Sequence, residues 1–400
     1  MLFLNDVGFQ YGAGIAHLRQ IQSFLLLGHE VKGVCWMQGP EGDIPFMPHN
    51  AKGAWRGMTC LSNTHYDHGC TDSEIMASIL HEVDSFGPDV VIVGNLHAAK
   101  WPLEVFLALQ EASPLVVAYM HDCYLLSGGC AYPGTCRLYE SGCDDSCKST
   151  DAYPPINPAE IQEKWELRRK IFCGPQGVPI ATNSRWTLEM ARQSLDGLHF
   201  ADVVYLGLDE QLFRPIKRSL ARRLLHLPEE EIIVLCGATD VKVPRKGGHI
   251  FRDIATEMHD RAGFMIFGWN SAGLEGVYAA GQIRDYRLMP LFYSAADIFM
   301  GTSLEEAFGQ TLCEAAACGL PIVAFNVGGV PEVARHDVNA RLVDSIGAEE
   351  VLKEILFFVG DPHARQKFGS AGRALVEKEF SLESQGKRWT EYFVGLVQEM

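Results

Sequence analysis

Glu306 and Glu314 stand eight positions apart on either side of a Phe308-Gly309 pair. If Gly309 opens a helix through Leu312, Glu314 and Ala317, the helix's backbone N–H groups and positive dipole end face outward, where a diphosphate can be held without a metal. Glu306 then precedes the helix and Glu314 lies more than a turn inside it. Carboxylates so placed reach two ends of one elongated ligand, such as the hydroxyls of a sugar and of a ribose, with no proton transfer required. A lone pair of glutamates is common on solvated helices. The weight therefore rests on the segments C-terminal to the pair, Ala317-Cys318-Gly319-Leu320-Pro321-Ile322-Val323-Ala324 and Val327-Gly328-Gly329-Val330-Pro331-Glu332.

Other residues carry chemistry by type and place. Val243-Pro244-Arg245-Lys246-Gly247-Gly248 sets two cations before a glycine pair that opens a helix. That arrangement suits a departing diphosphate, whose charge grows in the transition state, although a solvated basic turn looks the same. His121 and Asp122 close the apolar run Ala118-Tyr119-Met120, at the end where open α/β sheets place ligands, and Asn183-Ser184 closes another. A histidine there is as often a satisfied core residue. Gly12-Ala13-Gly14, read as a turn between strand and helix, allows close backbone approach to a ligand. A dinucleotide site also needs an acid at the end of the second strand, and Cys35-Trp36-Met37-Gln38 has none. Cys130-x5-Cys136-x6-Cys143-x3-Cys147, set among Gly128, Gly129, Pro133, Gly134 and Gly142, could close a tetrahedral zinc site. The spacing departs from Cys-x2-Cys knuckles, so buried thiols or oxidation-prone loop cysteines are equal readings.

These residues need rigid elements to hold them. The chain has 400 residues, 47% of them hydrophobic, enough for two or three domains with sizeable cores. Its net charge of −16 argues against nonspecific nucleic-acid binding. The basic run Arg214, Lys217, Arg218, Arg222, Arg223 reads as a solvated face. No apolar stretch reaches the ~18 residues of a membrane span and no signal-like start is present, so a cytoplasmic protein is expected. In such a chain, twelve cysteines suggest thiols or a metal site, not disulfides. Strands are expected at 1–5, 31–36, 89–94, 115–121, 178–183 and 201–207, and again at 232–237, 263–268, 296–301 and 321–325, with helices between. Two successive parallel α/β sheets imply two Rossmann-like domains. The boundary is expected at residues 207/208, giving domains 1–207 and 208–380. A final amphipathic helix, 381–400, carries Trp389, Tyr392, Phe393 and Leu396 at helical spacing.

Glu306-x7-Glu314 with its flanking segments resembles the donor motif of retaining GT-B glycosyltransferases of the family-4 type, glycosyl transferases group 1. The resemblance implies an acceptor-side first domain with a Cys-rich loop at 123–147, facing a donor-binding second domain across a cleft, with the last helix crossing back to the first. It implies that Glu306 contacts the donor sugar, Glu314 the ribose, and Phe308, Gly309, Gln310 and Thr311 the sugar and phosphate. It assigns His121 to the sugar, Lys246 to the diphosphate, and Gly12 and Gly14 to the approach of the diphosphate. Asp122, Asn183 and Ser184 line the acceptor side. The family has an arginine where Thr239 and Asp240 stand here, so either Lys242 or Arg245 substitutes, or the site relies more heavily on Lys246 and the helix end, or activity is weak. The implied activity is retaining transfer of a hexose from a UDP- or GDP-sugar to a hydroxyl of a glycan, glycolipid or protein, with no catalytic cofactor and at most peripheral contact with the inner membrane face. A sugar-nucleotide epimerase, or a non-catalytic nucleotide- or carbohydrate-binding scaffold, would share the site.

Overall fold

The computed structural model describes residues 1–37, 47–62, 69–148, 153–273 and 276–399; Gln38 lies outside them. Two compact units form, one of Met1–Gly207 with the residues from Leu382 onward, the other of Leu208–Ser381. The first holds β1 (Leu2–Leu4), β2 (Glu30–Cys35), β3 (Ala54–Cys60), β4 (Val91–Val93), β5 (Val116–Met120), β6 (Ile180–Thr182) and β7 (Ala201–Val203). All pair in parallel, in the order β3-β2-β1-β4-β5-β6-β7. The second holds β8 (Ile233–Asp240), β9 (Gly263–Trp269), β10 (Val277–Gly281), β11 (Ile298–Gly301), β12 (Ile322–Phe325) and β13 (Ala340–Val343). These too are parallel, ordered β10-β9-β8-β11-β12-β13.

Helices cover both faces of each sheet, so β1, β4, β5, β6 and β12 are buried along their whole length and read as unbroken apolar runs. Three strands escape that reading: β3, β10 and β13. Each lies at a sheet edge, is only partly buried, and contains polar or glycine residues such as Arg56, Gly57 and Arg341. An edge strand has one neighbour and a wetter surface, which removes the selection for an apolar run.

In each unit the strand order reverses once, between β1 and β4 in the first and between β8 and β11 in the second. Connections leave on opposite faces there, and the parting at the carboxyl ends forms a crevice. One expectation about the first crevice is corrected. The helix Tyr11–Leu27 begins before the glycines, so Gly12, Ala13 and Gly14 form its first turn and not a loop. Gly12 is exposed, whereas Gly14 is buried, and a Cβ there would sit 1.9 Å from the Gly8 carbonyl oxygen. Gly14 thus lets the helix lie directly on the chain leaving β1.

The last helix, Leu382–Glu399, belongs to the first unit and packs on Tyr11–Leu27. Fully buried Trp389 meets Phe24 at 5.4 Å and Tyr119 at 5.7 Å between ring centroids. The basic run is also not uniformly solvated. Arg222 is fully buried, pairs with Asp297 at 2.6 Å and donates to the carbonyls of Ala295, Pro228, Glu229 and Glu231, tying the start of the second unit together. Among the described residues no helix is long and apolar enough to cross a membrane.

Candidate functional site

The second unit's crevice is a narrow cleft at the carboxyl ends of β8 and β11, the place where open α/β sheets bind their ligands. Cys236, Gly237 and Ala238 contribute from β8, Gly301 from β11, and Lys246, Thr302, Ser303, Glu306, Gly309 and Thr311 from the segments that come after those strands. Two helices open on it, Gly248–Met258 and Gln310–Ala317, capped by Gly247 and Gly309 with φ of 64° and 94°. Neither helix has a side-chain cap, so their first N–H groups remain available to an anion.

The lysine segment is clamped to β11. Thr302 Oγ1 donates to the Lys246 carbonyl at 2.8 Å, and Leu304 N to the Arg245 carbonyl at 2.7 Å. Gly247 allows this approach, since a Cβ there would lie 2.0 Å from the Thr302 oxygen. Glu306 is fixed from the other side, where its carbonyl accepts from Gly329 N at 2.9 Å and passes so near Gly328 that a Cβ would come within 2.1 Å.

The side chains thus positioned meet. Lys246 Nζ donates to Glu306 Oε2 at 2.5 Å, and Ser303 Oγ to the same oxygen at 3.2 Å. Both charged side chains keep some exposure, 20% and 16%. Burial pulls the Lys246 pKa below the usual lysine value, and the Glu306 charge only partly opposes this. For Glu306, burial pushes upward but the Lys246 and Arg245 charges outweigh it, so the carboxyl titrates below its ordinary value. Arg245 is therefore within electrostatic reach of the site. Thr239 and Asp240 lie on β8, and Asp240 Oδ1 is taken by Lys242 N and Asn270 Nδ2, each at 2.9 Å. Of the two cations weighed as substitutes for the missing arginine, Arg245 is the one that acts on Glu306. Burial also raises Cys236, facing the cavity floor, to about 11, leaving it a neutral thiol.

Glu314 does not join this cluster. It lies inside its helix, buried, and its Oε2 accepts the Tyr293 hydroxyl at 2.7 Å. The Phe308 ring is core, packed on Phe380 at 5.8 Å. Gln310 stands at the helix's first position, partly exposed.

In the first unit the ends of β1, β4 and β5 bring together polar groups that the sequence shows only separately. A Cβ on Gly94 would lie 2.6 Å from Asn5 Oδ1 and 3.2 Å from His121 Nε2, an atom with no hydrogen-bond partner. Burial, then the nearby His97, lowers the His121 pKa to about 3, so the ring is neutral at physiological pH. His97 Nε2 lies 3.7 Å from Asp122 Oδ2. Asp6 accepts from Ala98 N at 2.5 Å and Ala99 N at 3.1 Å, and its pKa is raised, chiefly by burial. Asn183 Nδ2 donates to the His121 carbonyl at 2.8 Å, and Ser184 caps the helix Arg185–Ser194. Both are buried and serve neighbouring backbone and side chains, which is not the cleft-lining expected of them.

The four loop cysteines come after β5. Cys130 and Cys143 are buried, Cys136 and Cys147 partly so, none of the four is in a disulfide, and all four line a second pocket. Ser303, Thr302, Tyr293 and His97 are site residues that the sequence does not single out. Gly328-Gly329 stands in a flanking segment that the sequence does single out, but its close approach to the Glu306 carbonyl is not written there. Tyr293 and His97 are brought in by the sheet order, which nothing local announces.

This geometry coincides with a family match. Residues 271–375, which include Glu306 and Glu314, match the family described as Glycosyl transferases group 1. The D-inositol 3-phosphate glycosyltransferase of Segniliparus rotundus is 33% identical over 192 residues, which cover 43% of this chain and 42% of the relative. That of Thermobifida fusca is 28% identical, over 42% and 44%. The chain thus spans less than half the length of these curated relatives. Among solved structures, sucrose-phosphate synthase from Thermosynechococcus elongatus superposes with a TM-score of 0.75 at 17% identity, covering 100% of this chain and 99% of that one. Anabaena Alr3699/HepE in complex with UDP and glucose gives 0.71 at 17%, covering 98% of each. The fold is GT-B.

Proposed function

We propose that this chain is a glycosyltransferase that moves a sugar from a nucleoside-diphosphate donor to a hydroxyl acceptor, with retention at the anomeric carbon. The observation that carries this reading is the Lys246–Glu306 pair, set at 2.5 Å beside two uncapped helix N-termini at a strand-order reversal. A diphosphate needs a cation and N–H donors, and a sugar needs a fixed carboxylate for its hydroxyls; this crevice offers both within one ion pair's reach.

In the reaction the bond between the anomeric carbon and the diphosphate oxygen breaks, and a bond to the acceptor oxygen forms. The acceptor's proton passes to the departing phosphate, so no protein base is required. Lys246 and Arg245 neutralise the charge that grows on the diphosphate, and Glu306 orients the sugar hydroxyls, so stabilisation is greatest where charge develops. Glu314, held by Tyr293, serves the ribose. His121, uncharged at neutral pH, acts as a hydrogen-bonding group toward the sugar, and a hexose is the donor sugar the family resemblance favours. The UDP and glucose in the HepE structure make UDP the first nucleotide to try.

Thermal melting of the chain against UDP, GDP, ADP, CMP and NAD tests the reading, because a ligand that binds only the folded state raises stability with the logarithm of its concentration over Kd. One nucleoside diphosphate is expected to raise Tm, and its sugar conjugate to be consumed when acceptors are added. Failure of every nucleotide to shift Tm would overturn the donor site. Epimerised donor without an acceptor would replace transfer by isomerisation.

A further inference from the structure

We propose that Cys130, Cys136, Cys143 and Cys147 bind a structural zinc ion as four thiolates, with the buried Arg168 guanidinium as the counter-cation of that site. Two independent observations carry this. The first is that four cysteines spread along eighteen residues of loop line one pocket, together with Gly128, Tyr139 and Ile161. The Gly128 N–H reaches the Cys143 sulfur, the kind of backbone donor that stabilises a metal-bound thiolate. Glycines at 129, 134 and 142 with positive φ let the loop wrap around the cavity.

The second is a cation without an anion. Arg168, on the helix Ile161–Phe172, is fully buried. Its Nε donates to the Tyr124 carbonyl at 2.9 Å and Nη1 to the Lys164 carbonyl at 2.8 Å, while Nη2 has no partner. Among the described residues no carboxylate pairs with it; the groups that act on it electrostatically are Tyr124, Cys143 and Cys130. A buried guanidinium beside neutral thiols is costly. Zinc binding displaces four thiol protons, and one Zn²⁺ with four thiolates carries a net charge of −2, which supplies the missing anion. Among the described residues no three ligands are yet gathered tightly enough to grip an ion, so the loop closes as the metal enters. The ion would pin the segment that leaves β5 directly after His121 and Asp122.

The test is metal content of the full chain, expressed with zinc and desalted, by plasma mass spectrometry. One zinc per chain is expected, together with a tetrathiolate charge-transfer spectrum after exchange for cobalt. Cys143→Ser and Cys136→Ser should lose the zinc, whereas Cys70→Ser, exposed and distant in sequence, should keep it. Arg168→Met should lower Tm in the zinc-loaded chain and raise it in the chelated chain, a change of sign that a purely structural arginine would not produce. Should the cysteine variants fail to fold, the cobalt spectrum and the Arg168→Met comparison still decide. Zinc-free wild type, zinc retained by Cys143→Ser, or disulfides among the four cysteines would each overturn the proposal. None of these readouts depends on nucleotide binding or transfer.

Discussion

Replacing Glu306 by glutamine should tighten the binding of a bare nucleoside diphosphate while slowing sugar transfer. In the ligand-free chain Lys246 is already neutralised by Glu306 at 2.5 Å, so an incoming diphosphate competes with that carboxylate and is repelled by it. A unit charge about 5 Å from a phosphate charge at an effective dielectric of about 20 costs about 3 kcal/mol, and the two neighbouring cations offset part of it. A residual of about 1–2 kcal/mol corresponds to roughly 5- to 30-fold tighter binding for Glu306→Gln. Lys246→Met goes the other way: it removes the cation and strands Glu306, weakening nucleotide binding by about 2–4 kcal/mol. Transfer should fall about 10²-fold or more in both, because each loses a group aimed at the reacting centre. Isothermal titration calorimetry with the nucleotide that shifts Tm, followed by kcat/KM, reads all four values. If Glu306→Gln weakens the nucleotide as much as Lys246→Met, Glu306 does not oppose the diphosphate and the assignment of roles within the pair is wrong.

Four further outcomes are expected. Because burial lowers His17 to about 3 from 6.5, the unfolded chain takes up its proton first, so stability contributed by the neutral ring is lost as pH falls from about 6.5 toward 3. At pH 5 that amounts to about 2 kcal/mol, and His17→Phe, whose ring suits the edge contact with Phe3 at 5.4 Å, should flatten the acid limb of a Tm–pH curve. Gly328→Ala forces a methyl against the Glu306 carbonyl in a left-handed backbone, and should cost about 2 kcal/mol or more in urea unfolding and lose nucleotide binding with it. Tyr293→Phe removes the hydrogen bond to Glu314 and should raise KM for the donor with kcat nearly kept, at about 1.5–3 kcal/mol. Trp389→Ala should cost about 3–5 kcal/mol of first-unit stability, seen in limited proteolysis as early release of the last helix while the second unit stays protected.

The sequence by itself determined the inner strands of both sheets, because a strand covered on both faces must be apolar throughout, and it determined which short stretches could hold a phosphate. Glu306, Lys246 and the Gly309 helix start were legible for a local reason: each charged residue stands within a few residues of a helix-opening glycine after a strand, Lys246 beside Gly247 and Glu306 before Gly309. Of the edge strands only β7 was legible; β3, β10 and β13 were not, since one wet side frees a strand from an unbroken apolar run. Only the tertiary structure decided that Lys246 and Glu306, sixty residues apart, form one ion pair, and that Glu314 turns to Tyr293 instead. It also decided that Gly14 serves packing, that Ser184 is a cap, and that Arg168 lies buried near the Cys130 and Cys143 thiols without a carboxylate. Such pairings arise from strand order and crossover. These place residues far apart in the chain at neighbouring strand ends, and a one-dimensional pattern holds no record of which ends those are.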